Sequence, residues 1–141
     1  MRLVRRPLAP GETDHELIWL SVTVASVALA AGWLGLGLPW PHCEFLALTG
    51  HPCVTCGATR AAIQFFHGNF LAAWKWNPLA FGGLCAVSVF DIYAAVVVAT
   101  RAPRLRIAHL TSVEKNFARV LVVALCALNW IYLLSHARNY S

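Results

Sequence analysis

Three long stretches without charge dominate the pattern of apolar and polar positions along the 141 residues. Residues 17–43 and 120–137 contain no Asp, Glu, Lys or Arg, and residues 76–100 contain only Asp91. A helix needs about 20 apolar residues to cross a hydrocarbon core ~30 Å thick, and each stretch is long enough. None carries the polar stripe of a helix in a soluble domain. The pattern predicts three transmembrane helices, at about 17–38, 78–100 and 118–136.

The connection between the first two spans, residues 39–76, carries shorter signals. Small and aromatic residues recur at helical spacing along one side of residues 57–67: Ala58, Ala61, Ala62, Phe65 and Phe66. Arg60, Gln64 and His67 lie on the opposite side. Asn77 suits a helix cap and Pro78 the first position of the next helix. We therefore expect an all-α membrane protein, a single domain over residues 1–141, with one short amphipathic helix along the membrane interface.

Composition supports the membrane class, because 59% of the residues are hydrophobic and only 12% are charged, against roughly 25% charged in soluble domains. The net charge of +5 would suit nucleic acid, but its distribution indicates orientation instead. Eight of the 11 basic residues precede the first span or lie between about 101 and 119. The positive-inside bias predicts these segments in the cytoplasm. The loop 39–76 and the C-terminus then face outward, and we expect no nucleic-acid partner.

Candidate chemistry is concentrated in the outward loop. Cys43, Cys53 and Cys56 lie there beside His42 and His51, whereas Cys85 and Cys126 lie in spans, where cysteine usually packs as a small apolar residue. A Cys-x-x-Cys before a helix suits a redox pair, since a helix N-terminus lowers thiol pKa. It also suits two ligands of a soft-metal site, completed by Cys43 and a histidine. A structural disulfide is the third reading, and the spacing leaves all three open.

The stretch from Cys43 to Pro78, with GHPCVTCGATRAA, HGNF and WNPL, resembles the bacterial domain-of-unknown-function family 2752. The matching positions are Cys53, Cys56, Gly57, Thr59, Arg60, Ala61, Gly68, Asn69, Asn77 and Pro78. Val54 stands where the family commonly has proline. The resemblance implies a small protein of the bacterial cytoplasmic membrane and supplies no established activity. Candidate interfacial residues are Gly57, Thr59, Arg60, Gln64, His67, Asn77 and Pro78.

Two charged residues near or within lipid need partners or a function. Arg60, at the lipid boundary, suits a surface anchor or a contact with an anionic group. Asp91 lies nine residues before Thr100, which is about 13 Å at 1.5 Å per residue. Ser26 and Asn129 fall near the same depth in the other spans. We expect these three to form a polar layer that joins the helices.

These features favour a non-catalytic scaffold or accessory subunit with a structural cysteine cluster on the outer face. The alternatives are a thiol-disulfide oxidoreductase or metal-binding protein using Cys53 and Cys56, and a transporter component using Asp91. Expected partners are the lipid bilayer and another membrane protein or a second copy. A metal ion at the cysteine cluster is the expected cofactor, if there is one.

Overall fold

Six helices and a pair of short strands make up the fold in a computed structural model that describes residues 2–6, 11–39, 43–109 and 111–136. In chain order they are β1 (Arg2–Arg6), α1 (His15–Gly35), α2 (Glu44–Thr49), α3 (Ala58–Phe66), α4 (Phe70–Trp76), α5 (Pro78–Thr100), β2 (Arg104–His109) and α6 (Ser112–Ser135). Helices α1, α5 and α6 are long and apolar enough to cross a membrane. The predicted all-α class with three such helices is confirmed.

Helix α1 is a typical lipid-facing helix in its side-chain exposure. Asp14 caps it, because the Asp14 carboxylate accepts a hydrogen bond from the Leu17 amide at 3.0 Å. Its large apolar residues are exposed, with Leu29 at 76%. The helix ends three residues before the predicted boundary, because Gly37 takes a left-handed φ of 66° that turns the chain out of the helix.

Helix α6 begins at Ser112, earlier than the apolar pattern indicates. The side chains of Thr111 and Glu114 explain the difference, because each accepts a hydrogen bond from the other residue's backbone amide, at 3.3 and 2.9 Å. This is a capping box, which satisfies amides that the first helical turn leaves unpaired. The helix therefore starts in a polar turn before its apolar run.

A two-stranded antiparallel ribbon joins the N-terminal segment to the second connection. Strand β1 pairs with β2, and the register aligns Arg6 with Arg104 and Arg2 with His109. The sequence pattern predicted no strand in either segment. Both segments are among the most basic of the chain, and their pairing brings these two parts of the backbone together.

Three short helices, rather than one, lie between α1 and α5. Helix α2 has six residues and α4 has seven, which is too short for apolar periodicity to identify either. Helix α3 occupies most of the predicted amphipathic segment. Gly50 and Gly68, both with left-handed backbone, close α2 and follow α3.

The chain divides into two compact units. The first comprises Met1–Trp40 and Val87–Glu114, and the second Pro41–Ala86 and Lys115–Ser141. In the second unit, buried Cys56 and Leu133 form a small core against which Cys43, Leu46, Cys53, Trp76 and Tyr132 pack. Phe65, Phe70 and Phe81 contact one another edge-on at centroid distances of 5.4 to 6.3 Å. These rings join α3, α4 and the start of α5, and the unit contains all three loop cysteines.

Candidate metal centre

Three cysteine sulfurs converge in the second unit. Cys43 is the residue before α2, and Cys53 and Cys56 lie in the turn that leads into α3. The Sγ atoms of Cys43 and Cys53 are 3.3 Å apart, and all three sulfurs lie within 4.8 Å of one another. All five cysteines of the chain are free thiols in the structure. The loop between α1 and α3 therefore brings together the three cysteines that the sequence singled out.

The turn between Cys53 and Cys56 has a fixed backbone. The Cys56 amide donates to the Cys53 carbonyl at 3.0 Å. The next residue, Gly57, has a φ of 76° and caps α3, where its carbonyl accepts from the Ala61 amide at 2.8 Å. A side chain in this left-handed conformation costs roughly 1–2 kcal/mol, so the glycine of the family motif has a backbone role here.

The Asn77 side chain forms hydrogen bonds with this turn, and the residue is only 1% exposed. Its Nδ2 donates to the carbonyls of Val54 and Cys56, at 3.2 and 2.9 Å. Its Oδ1 accepts from the Ala80 amide at 2.9 Å, which caps the first turn of α5. The Asn77 side chain thus forms hydrogen bonds with backbone groups of both the cysteine loop and the start of α5.

Asn129 of α6 makes a parallel set of bonds. Its Nδ2 donates to the Val54 carbonyl at 2.9 Å, and its Oδ1 accepts from the Leu79 amide at 3.1 Å. Asn77 and Asn129 therefore share one loop carbonyl and bond consecutive amides of α5, and we call this pair the asparagine clamp. Buried backbone amides and carbonyls cost free energy when they lack hydrogen bonds. The clamp avoids this cost for the first amides of α5 and for the loop carbonyls.

Two aromatic residues of α6 add to the clamp, and neither was predicted from the sequence as a site residue. The Trp130 indole N–H donates to the Pro52 carbonyl at 3.0 Å. The Tyr132 hydroxyl donates to the Lys75 carbonyl at 3.1 Å. A cluster of Asn, Trp and Tyr at one end of an apolar span was the available signal, but it reads equally well as an interfacial belt.

The thiols differ in their environments. Burial raises the pKa of the Cys56 thiol from its ordinary value of 9.0 to about 11. Partial burial also raises the pKa of Cys53, but hydrogen bonds with Thr55 and Cys43 outweigh it, so the net pKa of Cys53 is lowered. The Thr55 hydroxyl lies 3.3 Å from Cys53 Sγ. In the metal-free, reduced state Cys53 is therefore the thiol more readily ionised.

Of the two loop histidines, only His51 lies among the described residues. His51 Nδ1 lies 2.8 Å from the carbonyl oxygen of Thr49, and His51 is exposed. Among the described residues, the group with ligand atoms within 4.8 Å of one another consists of the three cysteines alone. His42 lies outside the described residues. Thiolates are the ligands that soft ions such as Zn²⁺ and Cu⁺ prefer, so the donor set suits such an ion.

The remaining motif residues have local contacts. The Arg60 guanidinium lies over the Trp76 ring at 4.6 Å from its centroid, a cation-π contact. Gln64 accepts from the Asn69 amide group at 3.1 Å, and His67 Nδ1 lies 2.7 Å from the Ile63 carbonyl oxygen. Thr59 is half-buried in α3. These contacts stabilise helix ends and the α3–α4 pair, while Pro78 begins α5.

The predicted polar layer of Ser26, Asp91 and Asn129 stays a prediction. Within the second unit, the Asn129 side chain bonds the Val54 carbonyl and the Leu79 amide. Ser26 is exposed on α1. The Oδ1 atom of Asp91 is buried and has no hydrogen-bond partner within the described parts of the chain.

Comparison with protein families identifies part of the chain. Residues 43–90 match the family model described as "Protein of unknown function (DUF2752)". The match confirms the resemblance inferred from the cysteine motif. It covers the three cysteines, the short helices and the first half of α5, but not α6 with Asn129, Trp130 and Tyr132. No curated protein and no solved structure matches the chain.

Proposed function

We propose that this protein is a non-catalytic membrane component whose outer loop binds one soft metal ion through Cys43, Cys53 and Cys56. The convergence of three sulfurs within 4.8 Å carries the proposal. The bound ion fixes the shape of residues 43–76, and this shaped segment is the surface that a partner recognises. The role is that of a scaffold or accessory subunit with a structural metal centre.

The sulfur separations support one ion. Tetrahedral coordination with zinc–sulfur bonds of about 2.3 Å places neighbouring sulfurs about 3.8 Å apart. The Cys43–Cys53 distance of 3.3 Å and the 4.8 Å limit for the set bracket this value. Side-chain rotations that move each sulfur by less than ~1 Å would give the sulfur separations of tetrahedral coordination. His42, which follows Pro41 and precedes Cys43 in the sequence, is the histidine to test as a fourth ligand.

The backbone around the sulfurs supports a site that exists before the ion arrives. The carbonyls of Pro52, Val54 and Cys56 each accept a hydrogen bond from a side chain of another element. A loop fixed in this way loses little conformational freedom on binding. The metal would in turn stabilise the folded loop, because ions that bind only the native state add their binding free energy to folding.

The membrane setting of the proposal is an inner membrane of a bacterium, with the N-terminus in the cytoplasm and the cysteine loop outside. The basic bias of eight residues to three supports this orientation. Pairing of β1 with β2 supports placing the N-terminal segment and the second connection on one side. Exposed apolar side chains along α1 supply surface for lipid and for a membrane partner or a second copy.

The test is a titration of the purified, reduced protein in detergent with Cd²⁺, followed by the ultraviolet sulfur-to-cadmium charge-transfer band. We expect saturation at one ion per chain. Changing Cys43, Cys53 or Cys56 to serine should each reduce the plateau by about one third and weaken binding at least tenfold, because one sulfur bond is lost. Cys85→Ser and Cys126→Ser are the matched controls, and both should titrate like the native protein. Equal loss in the controls, or no saturable band, would contradict the proposal.

Thiol-disulfide exchange is a second candidate, and the 3.3 Å approach of Cys43 to Cys53 is the observation that favours it. The expected pair from the sequence was Cys53 with Cys56. The geometry of the three thiols leads to a different pair.

A further inference from the structure

We propose that Cys43 and Cys53, which are ten positions apart, form the redox pair of this loop, and that Cys56 of the Cys-x-x-Cys motif stays a thiol. The pair exchanges with an exposed disulfide as its substrate class. Its oxidation consumes two of the three sulfurs of the metal centre, so a bound ion and the disulfide exclude each other. The pairing stands on geometry alone, and only the exclusion of the ion rests on the proposed function.

The distance between the two sulfurs supports this pairing. Cys43 Sγ and Cys53 Sγ are 3.3 Å apart in the thiol state. A disulfide bond has a length of about 2.05 Å, so the sulfurs must approach by about 1.2 Å. Cys43 immediately precedes α2, in extended backbone that is not part of a helix. Small rotations at Cys43 and Cys53 therefore suffice to form the bond.

Cys56 lies within 4.8 Å of the other two sulfurs, but it is buried, whereas Cys43 and Cys53 are half-buried. Its residue is 6% exposed, and it belongs to the small core with Leu133. Its amide bonds to the Cys53 carbonyl, and its own carbonyl accepts from Asn77. A substrate that attacks or is attacked at Cys56 would have to displace the core and the asparagine clamp.

Cys53 is the member of the pair with an exposed polar neighbour. Its side chain is half-buried, and it lies beside the hydroxyl of Thr55, which is exposed. Cys43 is half-buried as well, and its sulfur lies 3.3 Å from that of Cys53. We assign Cys53 the role of attacking thiol because its sulfur lies beside the exposed Thr55 hydroxyl, and Cys43 the role of resolving thiol.

The exchange balances in two steps. The Cys53 thiolate attacks one sulfur of the substrate disulfide, which forms a mixed disulfide and releases one substrate thiolate. The Cys43 thiolate then attacks Cys53 Sγ, which forms the Cys43–Cys53 bond, breaks the mixed disulfide and releases the second substrate thiolate. The protein gives up two electrons and the protons of two thiols, and the substrate disulfide becomes two thiols. The reverse sequence oxidises a substrate dithiol.

The experiment uses the full-length protein in detergent, reduced and metal-free, with oxidised glutathione as one probe and a synthetic peptide closed by one disulfide as the other. Remaining thiols are alkylated, and the disulfide is mapped by mass spectrometry after digestion. We expect a Cys43–Cys53 bond with alkylated Cys56. A Cys53–Cys56 bond as the main product, or no reaction with either probe, would overturn the pairing. Reaction with only one probe identifies whether small or peptide disulfides are the substrate.

Variants sharpen the assignment of roles. Cys43→Ser should trap the mixed disulfide on Cys53, since the resolving thiol is missing, and Cys53→Ser should form no bond to the probe. Cys56→Ser should keep the Cys43–Cys53 bond. If that variant does not fold, the alkylation of Cys56 in the native protein decides the point. A mixed disulfide trapped on Cys56 would contradict the roles.

A second arm separates this inference from the metal proposal. Cd²⁺ titration of the reduced and the oxidised protein should give one saturable site in the first and at least a tenfold weaker site in the second. Equal binding in both would contradict mutual exclusion. If neither the reduced nor the oxidised protein binds Cd²⁺ and the Cys43–Cys53 bond is mapped, the metal function is contradicted and the redox pair is supported.

Discussion

Helix α1 and the cysteine loop are stabilised by different kinds of side-chain bond. In α1, Ser21 and Thr23 donate to carbonyls four residues earlier, and Asp14 accepts from an amide three residues later. In the loop, Asn77, Asn129 and Trp130 bond carbonyls that are 21 to 78 positions away. The first set stabilises one helix wherever it lies. The second set stabilises one particular arrangement of three segments.

The arrangement of segments in this protein therefore depends on bonds between segments and not on bonds within one helix. A helix that satisfies its own backbone needs only apolar side chains toward lipid. A non-helical loop beside the membrane needs partners for its carbonyls, and here α5 and α6 supply them from their ends. We therefore expect substitutions in the asparagine clamp to matter far more than similar substitutions in α1.

The largest expected effect comes from Asn77→Ala. The change removes the cap of α5 and two bonds to loop carbonyls, and we expect a loss of about 3 kcal/mol in the free energy of unfolding in micelles. Asn69→Ala is the matched control, because Asn69 is exposed and bonds the Gln64 side chain. It should cost less than about 1 kcal/mol. Equal effects of the two changes would contradict the special role of the clamp.

A smaller effect is expected for Asn129→Ala. Val54 keeps its bond from Asn77, so the main loss is the bond to the Leu79 amide, and we expect about 1.5 kcal/mol. Asn116→Ala tests the same residue type on the exposed face of the same helix. Unfolding followed by tryptophan fluorescence compares the two. A larger cost for Asn116 would show that α6 does not hold the loop.

Thiol reactivity separates the two cysteines of the motif in the reduced, metal-free protein. With its pKa raised to about 11, the Cys56 thiol has a thiolate fraction at pH 8 about 100-fold below that of an ordinary thiol. The intrinsic reactivity of a more basic thiolate offsets part of this difference. We expect iodoacetamide to modify Cys56 at least about tenfold more slowly than Cys53, as measured by peptide mass spectrometry.

The same shift has a consequence for stability. Because folding raises the pKa of Cys56, the folded state holds this proton more tightly than the unfolded state. The resulting stabilisation is fully present below pH 9 and is lost as the pH rises toward about 11. Cys56→Ala should flatten this decline. An unchanged decline would assign it to another group.

The smallest expected effect concerns Arg60. Its guanidinium is exposed and lies over the half-buried Trp76 ring, so Arg60→Ala should cost less than about 1 kcal/mol, and Arg60→Lys less still. Lys75→Ala removes the same charge from a neighbouring exposed position and serves as the control. A loss for Arg60→Ala above about 2 kcal/mol would indicate a buried partner that the contact with Trp76 does not explain.

Much of the architecture follows from the sequence, because long charge-free runs have one physical solution in lipid. The cysteine cluster also followed, since three cysteines in one short loop have little room to separate. The hydrogen-bond partners of Asn129 could not be predicted from the sequence. It bonds backbone groups of Val54 and Leu79, and a backbone carbonyl leaves no mark in a sequence that would identify it as an acceptor.

The two shortest helices and the strand pair were also not predicted from the sequence. Helices α2 and α4 have fewer than two turns of pattern, and the β1–β2 ribbon joins segments about 100 positions apart. The start of α6 was in principle accessible, because Thr111 and Glu114 have the spacing of a capping box. The apolar run beginning several residues later obscured it. Asp91 keeps a buried oxygen without a hydrogen-bond partner in the described residues, and a transport role for it stays a prediction.

X-ray absorption spectroscopy of the reduced protein loaded with one equivalent of Zn²⁺ shows directly whether the three loop sulfurs bind one ion. We expect a first shell with three sulfur atoms at about 2.3 Å and one nitrogen or oxygen atom. The sulfur count should fall to two in Cys43→Ser and stay at three in Cys85→Ser. A native spectrum with one sulfur or none in the first shell would contradict a metal centre built from Cys43, Cys53 and Cys56.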